Sequence, residues 1–341
     1  MRALREPLTI VLGLLALLAL ASIMWTIGPE ERTARWAAVT LGYAGVFVAA
    51  TVAGRAPGGR RALAAGIALI AAVAAAIGAA AVILEERPYA LFLGGEWRPA
   101  GPLEYPPALA LLVVAALPVF IDAARSRAQP LRAAGTLALA LAAVVLVLSQ
   151  SRLALAFGLG VAALALFRLT RQRAVLGVGA LMAVTAGSVA FGQGDGPASG
   201  FLHGREDTWE AGIESFLDRP LEGAGADAFL AASARHQDGA AILFAHDLPL
   251  ELAVELGVAG LLLALALYVA TGRIVWEARA SHAAWLFGPG VVAFLVANLL
   301  DWPWHLAGMG AIWAVGCGAL AGTRASFANR AGTEPSGQGD P

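Results

Sequence analysis

No lysine occurs in the 341 residues, so all 23 basic side chains are arginine. That absence removes phosphate binding through a P-loop Gly-Lys-Ser/Thr and Schiff-base catalysis of the pyridoxal-phosphate kind. Cysteine is nearly absent as well. Cys317 stands alone inside an apolar run, which excludes a disulfide framework and a thiolate metal site. Charge is the third scarcity. Only 14% of residues are charged, against about 25% in ordinary globular domains, while 59% are hydrophobic and the mean hydropathy is +0.73. Apolar runs of roughly 20 residues recur from end to end, each long enough to cross about 30 Å of hydrocarbon. The pattern is that of an all-α polytopic membrane protein.

Ten spans are predicted, at about 8–27, 36–54, 62–84, 106–124, 131–149, 151–168, 174–191, 249–271, 283–300 and 304–322. Arg2 and Arg5 before the first run, with Ala19 and Ala21 near its end, imitate a signal peptide. The run is too long for a usual signal h-region, so it reads as a retained helix. With the N-terminus in the cytoplasm, 15 of the 23 arginines and five of the 24 acidic residues lie on the cytoplasmic side, leaving eight arginines and 19 acidic residues outside. Ten spans return the C-terminus to the cytoplasm. One large segment, about 193–247, is then extramembrane on the outer face, and a shorter outer loop covers about 85–105. Cytoplasmic connections are short, so no nucleotide-binding domain hangs on that side. Residues 1–323 form a single transmembrane domain in this reading, and 324–341, rich in Gly, Ser, Ala and Pro, a disordered cytoplasmic tail.

Ionisable groups beside hydrocarbon are costly, so each one at the outer face needs a reason. Arg152, in VLSQSRL, falls in a hairpin so tight that its guanidinium sits at the outer interface, in the polar company of Ser149, Gln150 and Ser151. It reads either as a snorkelling anchor or as a functional cation. Within the large outer segment, Glu206 to Phe216 suit a helix that sets Trp209, Gly212, Ile213 and Phe216 on one face. Packing accounts for that stripe. Arg205 stands at the unfavourable, positive end of this helix, which is tolerable where an anion binds beside it. His246 and Asp247 immediately precede the next span, and Glu251 and Glu255 follow within its first two turns. A histidine there can take a proton near neutral pH with a carboxylate beside it; alternatively, Asp247 is simply a helix cap. Of the other histidines, His203 and His236 are loop residues, His282 is cytoplasmic, and His305 lies in DWPWH, an aromatic-belt turn. Neither an Asp-x-Asp nor a His-Glu-x-x-His pattern occurs, so no metal is expected; two arginine forks can hold a diphosphate in its place.

In order, VLSQSR (147–152), GREDTWEAG (204–212), DRPLEGAGADAF (218–229), AHDLPLELAVELGVAG (245–260) and a late DWPWH resemble the O-antigen ligase and polymerase superfamily, and GPLEYPPALA (101–110) is similar to one of its loop motifs. The resemblance covers about residues 90–320, where the family often has Asn at the positions of Asp247 and Pro107. It implies a GT-C-like, inverting membrane glycosyltransferase whose donor is a polyprenyl-diphosphate-linked glycan and whose acceptor is a glycan, lipid or protein hydroxyl. It further implies an active site on the outer, periplasm-facing side of the bacterial cytoplasmic membrane. By the same resemblance Arg152 and Arg205 hold the diphosphate and His246 assists acceptor attack; beside them, Asp247 is placed to tune His246, Glu255 to shape the acceptor site, and Trp209 to support the site. No cofactor and no nucleic-acid partner are expected. The alternatives are a polysaccharide polymerase of the same superfamily and a flippase for lipid-linked sugars. A flippase would be expected to carry charges near the midplane.

Overall fold

The computed structural model describes residues 2–167, 205–237 and 242–331. The expected span at 174–191, His203, and residues 332–341 of the expected tail lie outside them. Among the described residues the elements are α1 (Pro7–Ala21), α2 (Glu30–Ala53), α3 (Pro57–Leu84), β1 (Ala90–Leu93), β2 (Glu96–Pro99), α4 (Pro106–Ala124), α5 (Gln129–Leu148), α6 (Arg152–Phe167), α7 (Arg205–Asp218), α8 (Phe229–Ser233), α9 (Leu248–Ala278), α10 (His282–Ala297) and α11 (Ala307–Ala331). Among the described residues, six helical stretches are long and apolar enough to cross a membrane: Pro7–Met24, α2, α3, α4, α5 and α9. Shorter apolar helices α6 and α10 pack among them. The protein is a mostly helical, polytopic membrane protein.

Proline opens α1, α3, α4, α5 and α9 in the first turn, where its fixed φ suits a helix and its missing N–H costs nothing. Small residues let the helices approach. A Cβ on Gly318 of α11 would lie 2.6 Å from the Ala50 Cβ of α2, and one on Gly322 would lie 2.6 Å from the Gly54 backbone. α11 runs to Ala331, beyond residue 322 where its span was expected to end.

Loop contacts sort the helix ends into two groups. At one end Trp25 donates to the Glu222 carbonyl (2.9 Å), Arg32 pairs with Asp227 through two bonds of 2.9 and 2.7 Å, Leu248 donates to the Asn298 carbonyl (2.7 Å), and Gln150 donates to Glu96. At the other end Arg324 pairs with Glu277 and with Glu6 (3.5 Å), and the Trp285 indole donates to Asp122 (3.0 Å).

Three local features were not foreseen. The 85–105 loop contains an antiparallel hairpin, β1 with β2, whose Gly94-Gly95 turn takes φ of 61° and 84°. Two left-handed residues suit the twist of a tight hairpin, and glycine adopts them without a Cβ clash. Helix α9 is broken at Gly257 (φ 64°, ψ −158°), a conformation essentially confined to glycine. Segment 220–225 fills the break: Ala224 and Gly225 donate to the Val254 and Glu255 carbonyls at 3.0 and 2.8 Å, and Val258 donates to the Pro220 carbonyl at 2.8 Å. The DWPWH turn is more than an aromatic belt. Trp304 is only 2% exposed and packs against Trp36, Tyr43, Phe294 and Trp313.

Candidate active site

Helix α7 starts at Arg205 and buries Thr208, Ala211, Gly212 and Ser215. Its packed face is therefore turned from the expected stripe: Ile213 is 52% exposed, and the closest approach is made by Gly212, where a Cβ would meet Leu250 at 3.0 Å. Small residues decide the face because they let α7 lie close to α9. Trp209, half-buried, donates its indole N–H to the Ala245 carbonyl at 3.0 Å and so ties α7 to the segment before α9.

That segment carries His246 in a left-handed conformation (φ 58°). Its Nδ1 lies 3.0 Å from the Phe244 carbonyl oxygen. A carbonyl only accepts, so the bond puts the proton on Nδ1 and leaves the Nε2 lone pair as the ring's acceptor. Burial pushes the His246 pKa below its ordinary 6.5, the Asp301 carboxylate opposes that, and the Arg205 guanidinium adds to it. Asp301 is itself held above the usual carboxylate range by burial, against the Tyr105 hydroxyl, the Trp302 amide and the charges of His246 and Arg205. The Tyr105 hydroxyl reaches both Asp301 oxygens, at 2.7 and 2.9 Å, and Trp302 N–H donates at 2.9 Å. Arg205, His246, Asp301 and Tyr105 thus form one electrostatic cluster drawn from four separate parts of the chain.

Aromatic rings floor this cluster. Tyr105 stacks on Trp302 (4.5 Å between centroids), Trp302 on Phe244 (5.2 Å), and Phe244 on His305 (4.0 Å). His305 Nε2 bonds to Glu251 Oε1, and Glu251 Oε2 accepts the Ala245 N–H at 2.9 Å.

The remaining expected residues have other partners. Asp247 caps α9 by accepting from the Leu250 N–H at 2.8 Å, and burial raises its pKa. Glu255 is 1% exposed and accepts the Phe229 N–H at 3.2 Å, which anchors the loop packed on the α9 break. Arg152 is half-buried at the start of α6 and makes no ion pair or side-chain hydrogen bond among the described residues. Its turn is built by Ser151, whose hydroxyl accepts from the Ala154 N–H (3.4 Å), and by left-handed Gln150 reaching Glu96. Arg152 therefore shares an end of the bundle with Arg205 and His246, while only the latter two join in one cluster. His236 lies apart, bridging Glu214 (2.8 Å) and Asp218 (2.9 Å), and His282 lies at the opposite end, 3.5 Å from Asp122. Asp301, Tyr105 and the Glu251–His305 pair were not singled out from sequence as site residues. The one hint was polar groups inside two otherwise aromatic or apolar motifs, GPLEY and DWPWH.

Residues 137–265 match the family model described as O-antigen ligase, a stretch that contains Arg152, Arg205 and His246. This part of the chain, less than half of it, is similar to the O-antigen ligase family. No curated protein matches the chain. The matched stretch is what this helical membrane protein has in common with the O-antigen ligase family. Tyr105, Asp301 and His305 lie outside the matched stretch and reach the cluster from the start of α4 and the α10–α11 turn.

Proposed function

We propose that the protein transfers a glycan from a polyprenyl-diphosphate-linked donor to an acceptor hydroxyl at the outer face of the cytoplasmic membrane, as a metal-independent, inverting ligase. One observation carries the reading: His246 has Nδ1 committed to a carbonyl, so Nε2 is the available base, and Arg205 lies beside it. The acceptor O–H proton passes to His246 Nε2 as its oxygen attacks the anomeric carbon. The bond from that carbon to the diphosphate oxygen breaks, and the electron pair leaves on the diphosphate. Arg205, with Arg152 from the same end of the bundle, offsets the departing charge through planar N–H forks.

The orientation rests on arginine bias, with both termini inside and ten spans, of which 174–191 is one. Residues 1–323 act as a single transmembrane unit in this reading, followed by a tail. A polymerase of the same superfamily would use the same donor chemistry and differ in the attacking hydroxyl. Against a flippase, the buried charged side chains among the described residues, Asp227, Glu251 and Glu255, all lie toward the end that holds the cluster.

Purified protein in proteoliposomes with lipid-linked donor provides the test. His246→Ala is expected to lower transfer by about 10²–10⁴-fold. Because Nε2 must be unprotonated, wild-type activity rises with pH through the His246 pKa, so the acid limb falls below 6.5. Full transfer by His246→Ala would reject the base assignment. Deleting the protein in its source and identifying which envelope glycan detaches or shortens separates ligase from polymerase.

A further inference from the structure

The segment Phe244–Ala245 carries no reactive side chain, yet it is gripped from three directions. Ala245 is fully buried, and both of its backbone polar groups are taken by side chains: the N–H by Glu251 Oε2 and the carbonyl by the Trp209 indole. Glu251 is itself only 3% exposed, and its second oxygen is bonded to His305 Nε2. The His305 ring then lies on Phe244 at 4.0 Å, tilted by 25°. Phe244 is the residue whose carbonyl holds Nδ1 of His246. Each of these contacts falls on Phe244 or Ala245, the two residues whose backbone sets where the His246 ring points and which nitrogen carries its proton.

We propose that Glu251 and His305 are positioning residues for His246, holding the Phe244–Ala245 backbone so that His246 keeps its left-handed conformation and presents Nε2 to the acceptor. The proposal rests on the reading of His246 as the base. Neither residue needs to touch substrate. A buried carboxylate with both oxygens engaged and a histidine with one ring face covered are poor candidates for direct chemistry, but they make a stiff bracket. The bracket closes through elements distant in sequence: α9 supplies Glu251, the α10–α11 turn supplies His305, and α7 supplies Trp209.

Charge gives the bracket a signature that a purely structural contact lacks. The charged groups acting on His246 are Arg205 at the start of α7, Asp301 in the α10–α11 turn and Glu251 on α9; around them, Tyr105 before α4 bonds Asp301, His305 bonds Glu251, and Asp247 adjoins His246 as the cap of α9. Of these, Glu251 is the carboxylate that glutamine can replace while keeping an acceptor for the Ala245 N–H. Its negative charge favours the protonated His246 ring, so its removal lowers the pH at which the base is freed.

The test measures steady-state transfer in proteoliposomes across pH for Glu251→Gln, Glu251→Ala and His305→Gln, with thermal unfolding of each variant in detergent. Glu251→Ala is expected to lower kcat by about 10²-fold, the scale of a misplaced catalytic group, with donor KM unchanged. Glu251→Gln is expected to retain most of kcat and to move the acid limb to lower pH; His305→Gln is expected to fall between the two in kcat. Wild-type kcat in Glu251→Ala, a rise in donor KM at unchanged kcat, or an unmoved acid limb in Glu251→Gln overturns the proposal. Should Glu251→Ala fail to fold, the acid limb of Glu251→Gln decides alone. His246→Ala in the same assay keeps the two ideas apart: if it transfers normally the base reading fails, whereas an inactive His246→Ala beside indifferent Glu251 variants removes only the bracket.

Discussion

At the scale of single residues, Asp247 shows how the same side chain divides two readings. Its oxygen accepts the Leu250 N–H, so it satisfies one of the donors left open at the start of α9. Asp247→Asn keeps an acceptor in place and is expected to preserve both thermal stability and transfer, whereas Asp247→Ala is expected to cost about 1 kcal/mol of stability. Unfolding midpoints of the purified variants check both outcomes; loss of transfer in a stable Asp247→Asn would instead make its charge part of the chemistry. His246 and Arg205 were legible in the sequence because an ionisable group in so apolar a chain is conspicuous. Asp301 and Tyr105 were not, since 196 residues separate the two ends of their hydrogen bond and no local pattern joins them. Glu251 was seen at helical spacing, but that spacing says nothing of a histidine 54 residues away.

At the scale of elements, apolar run length located the helices and was silent on their interruptions. Glycine is common in membrane helices, so Gly257 in ELGVAG carries no mark of a break. What makes it a break is the segment packed on it: a Cβ at Gly257 would lie 2.2 Å from the Leu221 carbonyl oxygen. Gly257→Ala is therefore expected to destabilise the protein by about 1–3 kcal/mol, through both backbone strain and eviction of that segment. The thermal midpoint in detergent should fall, and transfer should fall with it because the start of α9 carries Glu251 and is capped by Asp247. An unchanged midpoint would mean that α9 can run straight. Helix α7 gives the reverse lesson. Its existence followed from periodicity, but its buried face followed from Gly212 and its neighbours, whose smallness has no weight in a hydrophobic pattern.

At the scale of the whole molecule, loop contacts sort the helix ends into two sets, and the proposed orientation places the set that holds the His246 cluster outside. Cys317 is fully buried, so the native chain offers no exposed thiol among the described residues. Cysteines introduced at Gly95 and at Arg127 are expected to react with an impermeant maleimide in opposite ways: the first in intact spheroplasts, the second only after permeabilisation. Equal labelling of both in intact cells would refute the orientation. The loop 220–228 has a further consequence. One side of it fills the α9 break, and the other is stapled to the α1–α2 turn by Trp25, Ile27, Arg32 and Thr33. The 137–265 stretch is for that reason not an excisable module. Cut out, it would lose the staple, the Tyr105–Asp301 bond and the ring of His305 together. A version divided in the short turn at 125–128 has to be reassembled from both fragments made in the same cell before it can hold its own outer segment in place.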